Sequence, residues 1–165
     1  MKTQRSYKKY TLKPFKIPEG LIILQDTREQ SGLFSGRLPK GLIVQSTTLQ
    51  VGDYSIKGFE NSFCIERKQM SDFYSYIGKE RDKTIRKLKN MLEYEFASLV
   101  IEASEDQIFA GNMYSKVSPE TARQFLISCR IRYGIHVFMS SSIEACGRYV
   151  IDHSIKFFKI KRGID

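Results

Sequence analysis

Leu21-Ile22-Ile23-Leu24 is an uninterrupted apolar run that ends abruptly in Asp26-Thr27-Arg28-Glu29, and this junction constrains the fold more than any other segment. A strand without polar alternation must be covered on both faces, as α/β sheets are and half-solvated antiparallel sheets are not. Further strand patterns lie near 43–51, 63–68, 98–102 and 135–139, and the later ones alternate with helical patterns. The fold class expected is therefore α/β, a mixed central β-sheet of five or six strands flanked by α-helices. Open α/β sheets gather their sites at strand ends, so the carboxylates of Asp26 and Glu29, with Arg28 between them, are candidate site residues.

A second acidic cluster lies downstream. Gly52-Asp53 closes the apolar stretch from Leu42 to Val51, and Glu66-Arg67-Lys68 lies in the strand-like run Phe63 to Lys68. The connection from Tyr54 to Asn61, with Gly58 at its tip, is of hairpin length, so pairing would bring Asp53 alongside Glu66. Alternation along a strand points Glu66 and Lys68 the same way and sends Arg67 to the opposite face with Phe63 and Ile65. Arg67 is thus expected to orient an acid such as Asp72 instead of touching substrate. Mg²⁺ takes hard oxygen ligands, one or two carboxylates completed by water and phosphate, and an adjacent ammonium suits a lysine that serves the attacking water or the phosphate charge. The bland alternative is a turn followed by a solvated strand edge.

Taken in order, Leu24-Gln25-Asp26-Thr27-Arg28-Glu29, Val51-Gly52-Asp53-Tyr54 and Ile65-Glu66-Arg67-Lys68-Gln69-Met70-Ser71-Asp72 resemble the nuclease core of the XPF family of structure-selective endonucleases. That family's signature is Gly-Asp, a variable spacer, Glu-Arg-Lys, three residues and Asp. Leu99 to Glu102 resembles its next strand, and His136 to Ala145 its last strand and the start of its closing helix, so the likeness runs from about Leu21 to Phe158. The resemblance implies a restriction-endonuclease-like fold and a metal-dependent DNA endonuclease, with Mg²⁺ or Mn²⁺ held by Asp26, Asp53 and Glu66. It implies catalytic roles for Asp26, Glu29, Asp53, Glu66, Arg67, Lys68 and Asp72. Asp72 has a second reading as an acid in the first turn of a helix, where it complements the dipole. Family members usually continue into paired helix-hairpin-helix elements, for which this chain has no room. Choice of a branched or flap-like DNA is then expected to need a dimer, a helicase or DNA-binding partner protein, or the N-terminal arm. The family also contains inactive partners, so a DNA-binding scaffold is the competing class; the intact acids and lysine favour the enzyme.

The rest of the chain is read around this core. From Met1 to Glu19, six basic residues face one acid, a net of +5 out of the chain's +9. Tyr7, Tyr10 and Phe15 are interleaved, so residues 1–19 form a basic extension, with Lys8 and Lys9 as candidate DNA contacts; a merely solubilising terminus fits the composition as well. Residues 20–165 form the nuclease domain. After Asp72 a helical pattern (Phe73, Ile77, Ile85, Leu88, Met91, Leu92) is interrupted near Gly78. Lys79, Arg81, Lys83, Arg86, Lys87 and Lys89 crowd its other positions, a phosphate rail or a solvated face, and Lys79 and Arg81 are the candidate DNA contacts chosen from it. Glu102, at a strand end, is left out of the site. Ala103 to Lys116 reads as a loop or short helix, and Ser118-Pro119 as a helix start. A last helix runs from Ser142, with His153 on its face, and pairing through it would make a homodimer.

At 165 residues and 41% hydrophobic the chain can bury a core without staples. Three scattered cysteines exclude a disulfide framework and a zinc site. No apolar run reaches membrane-span length, and no signal-peptide core is present. An intracellular protein is expected, cytoplasmic in a bacterium or phage and nuclear in a eukaryote.

Overall fold

The computed structural model describes residues 13–29, 31–34, 38–111 and 115–164. Eleven elements follow in order: β1 (Ile22–Asp26), β2 (Ile43–Thr47), β3 (Tyr54–Ile56), β4 (Phe63–Gln69), α1 (Met70–Ile77), α2 (Arg81–Met91), β5 (Phe96–Glu102), α3 (Glu105–Phe109), α4 (Pro119–Tyr133), β6 (His136–Met139) and α5 (Ile143–Arg162). The strands form one sheet of six in the order β2-β1-β3-β4-β5-β6. β1 and β2 are parallel, as are β4, β5 and β6, while β3 runs antiparallel between β1 and β4. The fold is thus the mixed α/β sheet expected, and the carboxyl ends of β1, β4 and β5 share one edge with the start of β3.

Side-chain parity on the central strands creates two cores. Cys64 of β4 and Ala97, Leu99 and Ile101 of β5 pack with Phe73, Tyr74, Leu88, Met91, Leu126 and Cys129 of α1, α2 and α4. Phe63 and Ile65, with Val100, face Val150, Ile151 and Phe158 of α5 and Ile23 and Ile56 of the neighbouring strands. By the same alternation Glu66 and Lys68 belong to the α1/α2 face and Arg67 to the α5 face.

Three expectations are corrected. The strand near 43–51 stops at Thr47. Leu49 is buried as a loop residue, its N–H tied to Asp26 Oδ2 at 2.8 Å, so its apolar character does not mark a strand. Gly52 then turns the chain at φ +81°, and a Cβ there would lie 3.0 Å from the Ile65 carbonyl oxygen. The segment read as a hairpin connection contains β3, whose three residues are all buried; three residues are too few to show a period. Leu92, placed on the apolar stripe, is 49% exposed.

The helix interruption at Gly78 separates α1 from α2. Ser118 caps α4 through the Thr121 N–H with Pro119 at the first position, and Ser104 and Gln107 form a capping box on the short α3. All three cysteines are buried and free. Among the described residues no helix is long and apolar enough to cross a membrane. Phe15 and Ile17 pack against the α5 face, and Arg148 donates to the Lys13 carbonyl. Lys8 and Lys9 lie outside the described residues.

Candidate active site

The site grows from the backbone of β3 and β4. The Asp53 N–H donates to the Ile65 carbonyl at 2.8 Å, the Asp26 N–H donates to the Asp53 carbonyl at 2.8 Å, and the Arg67 N–H donates to Asp53 Oδ2 at 2.7 Å. Sheet hydrogen bonding therefore fixes Asp53 between the ends of β1 and β4. Glu66 is fully buried, and its Oε1 accepts from Lys68 Nζ at 2.6 Å and Lys87 Nζ at 2.7 Å. Its Oε2 is buried and, among the described residues, has no hydrogen-bond partner. An unpartnered buried carboxylate oxygen is costly, so this atom marks the place where a further positive or donor group fits.

The two acids differ in charge preference. Burial pushes the Glu66 carboxyl up, but the ammonium groups of Lys68 and Lys87 outweigh it and hold the group below its ordinary value. Burial and then the charge of Glu66 push the Asp53 carboxyl up to about 7, against the pull of Lys68 and the Arg67 N–H. Glu66 is thus held as a carboxylate by its two lysines, while Asp53, buried beside it, keeps its proton more readily.

On the other sheet face Arg67, only 6% exposed, donates from Nη1 to Glu29 Oε1 and from Nε to Glu102 Oε1, both at 2.6 Å. The predicted opposite-face placement of Arg67 holds; its side-chain partners are Glu29 and Glu102, where Asp72 was expected. Glu102 is the residue that sequence reasoning set aside, and its signal was its place at the end of β5, where it pairs in register with Gln69. Asp26 is engaged: Arg28 Nε donates to Oδ1 at 2.6 Å, Arg28 Nη2 and the Leu49 N–H donate to Oδ2, and the carboxyl falls to about 2, chiefly through Arg28. Asp26 therefore clamps the loop after β2 and has no oxygen free of a hydrogen bond.

A polar cleft of about 230 Å³ opens over this edge, lined by Arg28, Glu29, Ser31, Asp53, Arg67, Lys68, Gln69 and Asp72. Asp72, in the first turn of α1, is exposed at its rim. Lys79 and Arg81 are not part of the cleft: Lys79 borders a depression beside Gly78 and Ser115, and Arg81 a groove between α2 and α4. Among the described residues no group of three or more His, Cys, Asp or Glu stands ready to hold a metal ion. Asp53 and Glu66 remain as the pair whose chemistry fits one.

A mixed six-stranded α/β sheet of this order thus brings acids, an arginine and a lysine together at one edge. The chain belongs to the ERCC4 domain family, whose model matches residues 25–152, and this is a family of DNA nucleases. Two solved structures share the fold: XPF from Aeropyrum pernix, at TM-score 0.63 and 19% identity over 81% of this chain, and XPF from Aeropyrum pernix in complex with DNA, at TM-score 0.62 and 20% identity over 85%. This chain covers 63% and 66% of those two chains. No match is found among curated proteins.

Proposed function

We propose that this chain is a divalent-metal-dependent DNA endonuclease that hydrolyses phosphodiester bonds in branched or flap-like DNA, during repair, recombination or phage DNA processing. One observation carries the reading most: the buried, unpartnered Glu66 Oε2 beside an Asp53 whose charge is suppressed by the same neighbourhood. Asp53 and Glu66 would hold Mg²⁺ or Mn²⁺, and Asp26 would act from behind by fixing the loop that delivers Asp53. When bound, such an ion polarises a phosphoryl oxygen and lowers the pKa of water.

The remaining steps belong to the protein. Lys68, fixed between Glu66 Oε1 and the Arg67 carbonyl, borders the cleft and holds the attacking water or offsets charge growing on the phosphate. The water oxygen forms a bond to phosphorus, the ester oxygen leaves, and a proton passes from the water to the departing side. Arg67 holds Glu29 and Glu102 in place at the cleft floor, and Asp72 adds negative charge near Lys68. DNA is drawn by the net charge of +9, with Arg28 at the cleft, Lys79 and Arg81 outside it, and Lys8 and Lys9 of the basic extension as further contacts. Two copies would pair through α5, where Ile143 and Ile160 are exposed; light scattering tests this.

The competing reading is an inactive DNA-binding scaffold, favoured by the engagement of both Asp26 oxygens. Duplex, single-stranded, flap and fork DNA incubated with Mg²⁺, Mn²⁺ or EDTA separate the two. Metal-dependent cutting by the wild type that is lost in Asp53→Asn and Lys68→Ala supports the enzyme. Equal cutting by wild type and both variants refutes it, and binding without cutting selects the scaffold.

A further inference from the structure

Lys87 is an unusual member of the basic helix α2. Thr84, Leu88 and Met91 are the residues α2 buries, and they fix its rotation: Leu88 and Met91 are at most 1% exposed, and the Thr84 hydroxyl donates to the Tyr76 carbonyl. Lys87 lies three residues after Thr84 and four before Met91, on the edge of that stripe, so its stem runs inward. Its side chain is 33% exposed, against 73% for Lys83, which meets Glu80 on the surface. The ammonium arrives 2.7 Å from Glu66 Oε1, the oxygen that Lys68 already contacts at 2.6 Å. Partly burying a second ammonium against a first is unfavourable unless the shared carboxylate compensates, so the contact needs more than surface pairing to account for it.

We propose that Lys87 is a positioning residue of the site: with Lys68 it pins Glu66 through Oε1 and leaves Oε2 as the oxygen open to a bound cation. The inference rests on the nuclease reading above and deepens it. It separates one lysine of α2 from the others, which stand in solvent and serve at most to attract DNA. It also predicts an opposition, because an ammonium beside Glu66 steadies the carboxylate while repelling a cation from it.

The test uses the full chain as wild type, Lys87→Met, Lys87→Arg and Lys83→Met, with unfolding temperature as the check on folding. Lys87→Met is expected to lower kcat roughly 10- to 100-fold, the range for partners that orient metal-binding side chains, with KM for DNA little changed, and Lys87→Arg to recover most of the rate. Lys83→Met is expected to shift KM and its salt dependence alone. In DNA-free protein, a Mn²⁺ titration should show tighter binding in Lys87→Met, on the order of several-fold, because one repelling charge is gone. The proposal is overturned by an unchanged kcat, by a loss confined to KM as in Lys83→Met, or by a Mn²⁺ affinity that stays constant or falls. A wild type that binds Mn²⁺ and cuts no DNA defeats the nuclease reading instead, and the Mn²⁺ titration then still decides the role of Lys87.

Discussion

Replacing Asp53 by asparagine should stabilise the metal-free protein, and more so as the pH rises. The Asp53 carboxyl has its ordinary value near 3.8 in the unfolded chain and is pushed to about 7 when folded, by burial and by Glu66. Between those values the folded state holds a proton that the unfolded state has released, so stability falls with increasing pH across that window and levels off above it. Three pH units correspond to at most about 4 kcal/mol at pH 8, lessened by any water the cleft admits. Asparagine keeps an oxygen for the Arg67 N–H and carries no charge, so Asp53→Asn escapes the penalty. Its gain over wild type should be small near pH 4 and reach a few kcal/mol by pH 8, or roughly 2–4 °C in Tm per kcal/mol for a chain of this size.

Urea or thermal unfolding in EDTA at pH 4, 6 and 8 measures this directly. Added Mn²⁺ should then reverse the order at pH 8, because a ligand that binds only the folded wild type raises its stability by mass action. A variant less stable than wild type at pH 8 without metal, or a difference that does not widen with pH, would refute the reasoning.

Three further outcomes are expected. Lys68→Ala should reduce kcat by roughly 10²–10³-fold, as loss of an electrostatic contact to the reacting phosphate does, while DNA affinity measured by fluorescence anisotropy changes little; a loss of affinity equal to the loss of rate contradicts the assignment. Arg67→Lys should destabilise the fold by about 3–5 kcal/mol in urea unfolding, because one ammonium does not reproduce the fork between Glu29 and Glu102 and leaves a carboxylate unpaired; a change below about 1 kcal/mol sinks the two-acid clamp. Asp26→Asn should cost about 1–2 kcal/mol at neutral pH, discounted for the exposure of Arg28. Because the folded carboxyl lies near 2 and the unfolded one near 3.8, that contribution is lost as pH falls from about 4 through 2, so a difference of undiminished size at about pH 1 opposes it.

Much of this was legible in the sequence, for physical reasons that also explain the rest. The run Leu21 to Leu24 announced a strand covered on both faces, and Ser118-Pro119 announced a helix start; both are signals of a few adjacent residues. Alternation along β4 was enough to place Arg67 opposite Glu66 and Lys68. What it could not supply was the far partner: Glu102 stands 35 residues from Arg67 and Lys87 stands 21 from Glu66, separations that carry no local pattern. At Asp26 the type and position fit a metal ligand, and the hydrogen bonds from Arg28 and Leu49 to its oxygens are the part that no local pattern announced.

The sheet divides the ionic groups into two networks that meet at Asp53. On the α1/α2 face Glu66, Lys68 and Lys87 form a cluster carrying more positive than negative charge; on the α5 face Arg67 is shared by Glu29 and Glu102, and the balance is reversed. Asp53 accepts the backbone N–H of Arg67 and feels the charges of Glu66, Lys68 and Lys87, so it belongs to both. A cation entering beside Asp53 and Glu66 would relieve the suppressed charge of the first and the unpartnered oxygen of the second together. The backbone pairing of β3 with β4 is what holds those two groups side by side, and a substitution that slips this pairing by one residue would separate them while leaving every candidate site residue in the chain.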